Sequence, residues 1–221
     1  DRYIEWVSWM ANVATSVEKL LQEIRNLQRS EIAEVGEWFD AEKQVGSSTM
    51  AHKRNPITAE NACGLARIVR SFIIPSYENA LLWHERDLAN SSAERFTLSH
   101  SAILLDDVLA KCDRVMSKCV VDSDNMRLNI DRQNGLVMAE KVMIELVDVG
   151  IPRDEAHEIL RGASMACISD GKHLREVCGE INAITRRFDN SQLDAMFDPA
   201  NHIGLSAELV NEAVATARKH L

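Results

Sequence analysis

The sequence is poor in the residues that punctuate a chain. Its 221 residues include nine glycines and four prolines, and aromatic residues make up only 5%. So few turn formers and aromatics point to a mainly helical protein. No apolar run approaches the ~18 residues of a membrane span, and no stretch reads as a signal peptide. The five cysteines, Cys63, Cys112, Cys119, Cys167 and Cys178, are odd in number and contain no CxxC pair. That excludes a disulfide framework or a zinc ribbon and fits reduced thiols in a cytoplasmic protein. The seven histidines show no HxxxH or other ligand spacing, so a metal site is not expected. Excess positive charge is also missing. The net charge is −9, which argues against a general nucleic-acid or membrane-surface binder. The chain does not begin with Met, and Asp1-Arg2-Tyr3 enters a periodic pattern with no helix-start signal. A piece of a longer chain is the expectation.

What is present is a hydrophobic content of 46%, enough for a real core. Residues 3–35 read as one amphipathic helix, roughly 45–50 Å long. Trp6, Val13, Leu20 and Leu27 form one apolar row, and Met10, Val17 and Ile24 form a second beside it, with Ala14 and Leu21 completing the face. Such a helix needs other long helices or partner subunits. A second helix starts at Pro56, with a kink or break near Phe72 because Pro75 removes a hydrogen bond. A third covers about 91–120, capped by Asn90 or Ser91. A short helix capped at 122–124 precedes the turn Asn134-Gly135. Another covers 136–149 and ends at Gly150. Shorter helices follow at about 153–169, 172–183, 191–196 and 206–219. The texture changes near Gly150, which suggests a long-helix bundle over 1–150, N-terminally truncated, and a small C-terminal helical domain over 151–221.

The most informative stretch is Gly46-Ser47-Ser48-Thr49-Met50-Ala51-His52-Lys53-Arg54-Asn55-Pro56. It reads as a Gly/Ser loop feeding the positive end of a helix, where Asn55 can cap and Pro56 suits the first helical position. A helix start is a ready anion site. Over residues 43–70 the cations are Lys43, Lys53, Arg54, Arg67 and Arg70, against the single acid Glu60. A basic island in an acidic chain points to a small anionic ligand rather than a nucleic acid.

That stretch resembles the GSSxMPxKxNP signature of the fumarase/aspartase superfamily, departing only at Ala51, where the family usually has Pro. Within the superfamily, Trp83-His84-Glu85-Arg86-Asp87 followed by Ser91-Ser92-Ala93-Glu94-Arg95 resembles the adenylosuccinate lyase branch. The run Glu23-Ile24-Arg25 to Gln28-Arg29 extends the likeness, which is weakest after Gly150. The resemblance implies an all-α fold and a homotetramer whose long helices join in a central bundle, each active site drawing on three subunits. It implies elimination of fumarate from adenylosuccinate, giving AMP, and from succinylaminoimidazole-carboxamide ribotide in purine biosynthesis, without a metal or organic cofactor. A sibling chemistry, chiefly 3-carboxymuconate cycloisomerase, and a non-catalytic helical oligomerisation fragment are the alternatives.

By the same resemblance Ser47 is the general base and Glu60 orients a catalytic histidine. Ser48, Lys53, Asn55, Arg86, Ser91 and Arg95 bind substrate. Removing a proton beside a carboxylate requires a base, an anion clamp and an acid for the leaving nitrogen. Cationic charge from Lys53, loop amides and the helix end could support a serine alkoxide. Each residue also has a plainer reading. Ser47 could be a linker serine, Lys53 solvated, Asn55 a cap and Glu60 a surface charge. Arg86 and Arg95 could pair locally with Glu85, Asp87 or Glu94. The family's acid histidine and a second active-site histidine belong to segments before Asp1, so an isolated 1–221 fragment is expected to be inactive.

Overall fold

The computed structural model describes residues 1–39 and 54–220. They form two compact units, Asp1–Met126 and Arg127–Leu221, and helices dominate both.

In the first unit the sequence pattern becomes a bundle of α1 (Arg2–Leu27), α2 (Ile57–Ser71), the short α3 (Ile73–Glu78) and α4 (Ala89–Lys118). Two layers of core fix their directions. Val7, Met10 and Ala14 of α1 meet Ala66 and Val69 of α2 and Leu105 of α4. Farther along, Leu21 and Ile24 meet Ala59, Ala62, Cys63 and Val115. Helix α2 therefore runs antiparallel to α1 and α4. Its alanines at 59, 62 and 66 are fully buried and let the three backbones approach closely. The expected break comes where Pro75 demands it. Helix α2 closes at Ser71 and α3 opens at Ile73, which places the proline in a first turn where a missing N–H costs nothing.

Three expectations are corrected here. Helix α1 stops at Leu27, eight residues before position 35, so its 26 residues span about 39 Å. The chain then turns through Ala33, held at a positive φ of 51°, into strand β1 (Val35–Gly36). That strand pairs antiparallel with β2 (Val120–Val121), just past α4. Second, Trp6 and Leu20 are not in the core of this unit. They are 51% and 41% exposed, while Val7 and Ala11 lie inside. Third, Asn90 lies within α4 and is buried rather than capping it. Capping falls to Asp87, whose carboxylate accepts the amides of Ala89 (2.9 Å) and Trp83 (3.1 Å). Those two hydrogen bonds hold the Asp87 carboxyl below its ordinary range.

Helix α5 (Ser123–Asp131) is capped by Asp122, which accepts the Asn125 amide at 2.9 Å. The second unit contains α6 (Ala139–Asp148), α7 (Arg153–Asp170), α8 (Leu174–Glu180), α9 (Asn182–Thr185), α10 (Asn190–Phe197) and α11 (Ser206–Arg218). Its core gathers Leu146, Leu160, Leu174, Ile184 and Leu193. Local signals set the ends. Pro152 precedes α7, Gly171 closes it in the left-handed region, and Asp189 with Gln192 forms a capping box on α10. Among the described residues no helix is long and apolar enough to cross a membrane.

Candidate active site

The exit of the Gly/Ser stretch lies at the junction of α1 and α2. Arg54, Asn55 and Glu60 share a cleft of about 410 Å³ with Arg25, Gln28 and Arg29 from the end of α1. Three guanidinium groups face one carboxylate there, and Arg29 is partly neutralised by Glu31 at 3.0 Å. Such a cleft favours an anion. Arg25 is anchored from below. Its Nη1 donates to Gln22 Oε1 at 2.6 Å, while its Nε is sealed from solvent. Its guanidinium also lies against the buried Cys63 thiol. Burial pushes that thiol up, and Arg25 pulls it part of the way back.

The positive end of α2 is not left open to a ligand. The Glu37 carboxylate takes it, accepting Thr58 N at 3.0 Å through one oxygen and Ala59 N at 3.2 Å through the same oxygen. Asn55 therefore does not cap α2. Its backbone carbonyl accepts the Ile57 amide at 2.9 Å. The basic island is also narrower than the sequence suggests, because Arg67 and Arg70 both pair with Glu18 of α1, at 3.3 and 2.5 Å. Ser47, Ser48 and Lys53 lie outside the described residues.

Arg86, Ser91 and Arg95 form a second group. Asp87 folds the segment before α4 into a tight turn, with His84 at a positive φ of 51° and Arg86 exposed. Ser91 and Arg95 stand one turn apart on α4. The local pairings open to the arginines are not made. Asp87 is engaged by backbone amides, Glu94 accepts from Asn90 Nδ2 at 2.8 Å, and among the described residues neither Arg86 nor Arg95 has an ion-pair partner.

The two groups lie at opposite ends of the bundle. Thr58, at the start of α2, shares a groove with Arg114 and Lys118 from the last turns of α4. Glu94, beside Arg95, borders a small cavity with Ser76 of α3 and Asn79 just past its end. From Ser91 to Val115, α4 rises roughly 36 Å at 1.5 Å per residue. Within one chain the two groups of candidate residues are thus too far apart to meet on a single mononucleotide.

Residues 135–213 match the family model described as adenylosuccinate lyase C-terminus, and residues 1–70 match that described as lyase. The adenylosuccinate lyase of Archaeoglobus fulgidus is 44% identical over 97% of this chain and 48% of its own length. That of Methanothermobacter thermautotrophicus is 42% identical over 100% and 49%. The chain is similar to adenylosuccinate lyases along its whole length. It spans about half the length of the curated relatives it matches. Among solved structures, 3-carboxy-cis,cis-muconate lactonizing enzyme from Pseudomonas putida superposes with a TM-score of 0.88. The identity is 31%, over 99% of this chain and 48% of that one. The TM-score shows that this chain shares the fold of the matching half of that structure, and among the described residues no His/Cys/Asp/Glu cluster is placed to hold a metal.

Glu37, Gln28 and Arg25 are the residues of this region that sequence reasoning did not single out as functional. Glu37 carries no local signal, since the amides it binds are 21 and 22 positions away. Arg25 and Gln28 sit inside the run that carried the family likeness, but nothing in that run says which side chains face the cleft.

Proposed function

We propose that the protein to which this chain belongs eliminates fumarate from adenylosuccinate and from succinylaminoimidazole-carboxamide ribotide, in the cytoplasmic synthesis of purines. The observation that carries the reading is the pairing of 39–44% identity to adenylosuccinate lyases with two half-sites of the required chemistry. Ser47 is the base that takes the Cβ proton. Ser48, Lys53 and Asn55 clamp the carboxylate on which negative charge develops, and Arg54 and Arg25 raise the local positive potential. Glu60 orients a histidine supplied by another segment. Arg86, Ser91 and Arg95 hold the nucleotide end, their guanidinium forks suited to phosphate and carboxylate.

The separation of the half-sites is met by assembly, and the assembly proposed is a homotetramer. The outward apolar residues support it. Trp6, Trp9 and Leu20 of α1 and Phe96, Ile103 and Met116 of α4 are exposed in the isolated chain. Large apolar side chains left exposed on two long helices suit burial against the helices of other copies.

The test is direct. The complete enzyme is expected to release fumarate from adenylosuccinate, followed by absorbance, and Ser47→Ala is expected to lower turnover by about three orders of magnitude with binding retained. Turnover unchanged in that variant removes Ser47 from the mechanism. A second reading, lactonisation of a carboxymuconate, is favoured by the 0.88 TM-score. Lactone formation with no fumarate release would select it.

A further inference from the structure

Asn55 is bracketed by a continuous set of hydrogen bonds that begins at the end of α1. Gln28, the residue that ends α1, uses both ends of its side-chain amide. Its Oε1 accepts the Glu37 backbone N–H at 2.7 Å. Its Nε2 donates to the Arg54 carbonyl, immediately before Asn55, at 3.2 Å. The partners fix the orientation of this amide, because the flipped form would set donor against donor and acceptor against acceptor. Glu37 then reaches past Asn55 and holds the amides of Thr58 and Ala59 at 3.0–3.2 Å. Residues 54 and 58–59 are thus fixed from one scaffold, and the interval between them holds Asn55. Phe39 closes the same corner, with its ring 5.2 Å from the Arg54 guanidinium carbon.

We propose that Gln28 and Glu37 are positioning residues for Asn55, setting the backbone on both sides of it so that its side-chain amide meets the substrate in register. The inference rests on the proposed elimination reaction, in which Asn55 touches substrate. The chemistry of the bracket suits the task. A negative carboxylate on the first turn of α2 offsets the helix dipole, and a neutral amide joins the two flanks without adding charge to the anion cleft. Small displacements of a binding group lower rates steeply, so such a bracket acts on turnover without itself contacting the substrate.

A purely structural role predicts something different, and a double-mutant cycle separates the two. In the complete enzyme Gln28→Ala is expected to lower kcat/KM for fumarate release by about ten- to a hundredfold. In an Asn55→Ala background the same change is expected to cost less than about threefold, since the group it positions is gone. Equal factors in both backgrounds, or no effect in the wild-type background, overturn the proposal. Gln28→Glu keeps the acceptor and loses the donor, and it carries the cycle where Gln28→Ala does not fold. Amide exchange provides a readout independent of turnover. Glu37→Ala is expected to speed exchange at Thr58 and Ala59 at least tenfold, Glu37→Gln by less, and Gln28→Ala to speed it through the loosened Glu37. Unchanged exchange in all three variants refutes the bracket. Absence of fumarate release by the wild-type enzyme would refute the functional reading instead, and exchange would still decide whether the bracket exists.

Discussion

Gly135 occupies a position where two separate demands on a residue can be measured apart. Its φ is +75°, in the left-handed region, and a Cβ built there would lie 2.5 Å from His173 Cε1 and 2.8 Å from Nε2. His173 cannot move without loss. Its Nδ1 accepts the Arg175 amide at 3.1 Å and so caps α8, and its ring packs edge-on to Phe197 with centroids 5.7 Å apart. Gly135→Ala therefore carries about 1–2 kcal/mol for the left-handed backbone and about 1 kcal/mol more for a displaced cap. Gly171 is the control. Its φ is +68°, but a Cβ there meets nothing within 4 Å, so Gly171→Ala carries the backbone cost alone. Amide exchange of Glu176 and Val177 at the start of α8 reads the difference. Gly135→Ala is expected to speed it about fivefold beyond the effect of Gly171→Ala, which is about 1 kcal/mol. Equal acceleration in the two variants would show that His173 yields freely and that the contact with Gly135 shapes nothing.

Asp87 and Cys178 give pH dependences of opposite sign. The folded Asp87 carboxyl titrates below its ordinary 3.8 because the Ala89 and Trp83 amides donate to its charged form. Its stabilising effect is present above pH 3.8 and is lost as pH falls through the lowered value, and the Trp83 and Ala89 amide shifts should follow that titration and stop following it in Asp87→Asn. Burial raises the Cys178 thiol from 9.0 to about 11. The unfolded chain then releases the proton first, so stability is full below pH 9 and declines as pH rises toward 11, by about 2–3 kcal/mol, and Cys178→Ala should flatten that part of the urea midpoint-against-pH curve.

The sequence made the helices legible where their ends carry local chemistry. Pro75, Pro152 and Gly171 act on their own backbone, and the breaks come at those residues. Helix α4 starts a short distance before the expected caps because Asp87, Asn90 and Ser91 are all competent caps, and only the fold decides which side chain has an amide in reach. The end of α1 was hidden for a related reason. Ile32 and Val35 continue the apolar rhythm, yet Gln28 diverts its side chain to Glu37 and Arg54 and the chain turns. The site shows the same division. The cationic residues could be named from the signature, but the loss of Arg67 and Arg70 to Glu18 depends on two helices meeting. The wide stripe of α1 concealed a further distinction. Trp6 and Met10 both belong to the stripe, yet Met10 is buried and Trp6 exposed, and periodicity cannot tell the side that fills a bundle from the side that faces outward.

The outward side bears on the distance between the half-sites. If Asn55 and Glu60 at one end of the bundle serve a substrate whose nucleotide end is held by Arg86, Ser91 and Arg95, those arginines belong to another copy. Two variants damaged at opposite ends must then repair one another. Asn55→Ala and Arg86→Ala enzymes, each nearly inactive alone, are unfolded together and refolded as an equimolar mixture. Random assembly leaves roughly a quarter of the sites with both contributing chains intact, so fumarate release should return to about that fraction of wild type. A mixture no more active than its components would mean that one chain supplies both ends of its own site. With about 36 Å of α4 between Ser91 and the start of α2, that result would require the helix itself to be rebuilt, and the assignment of Arg86, Ser91 and Arg95 to the substrate would fall with it.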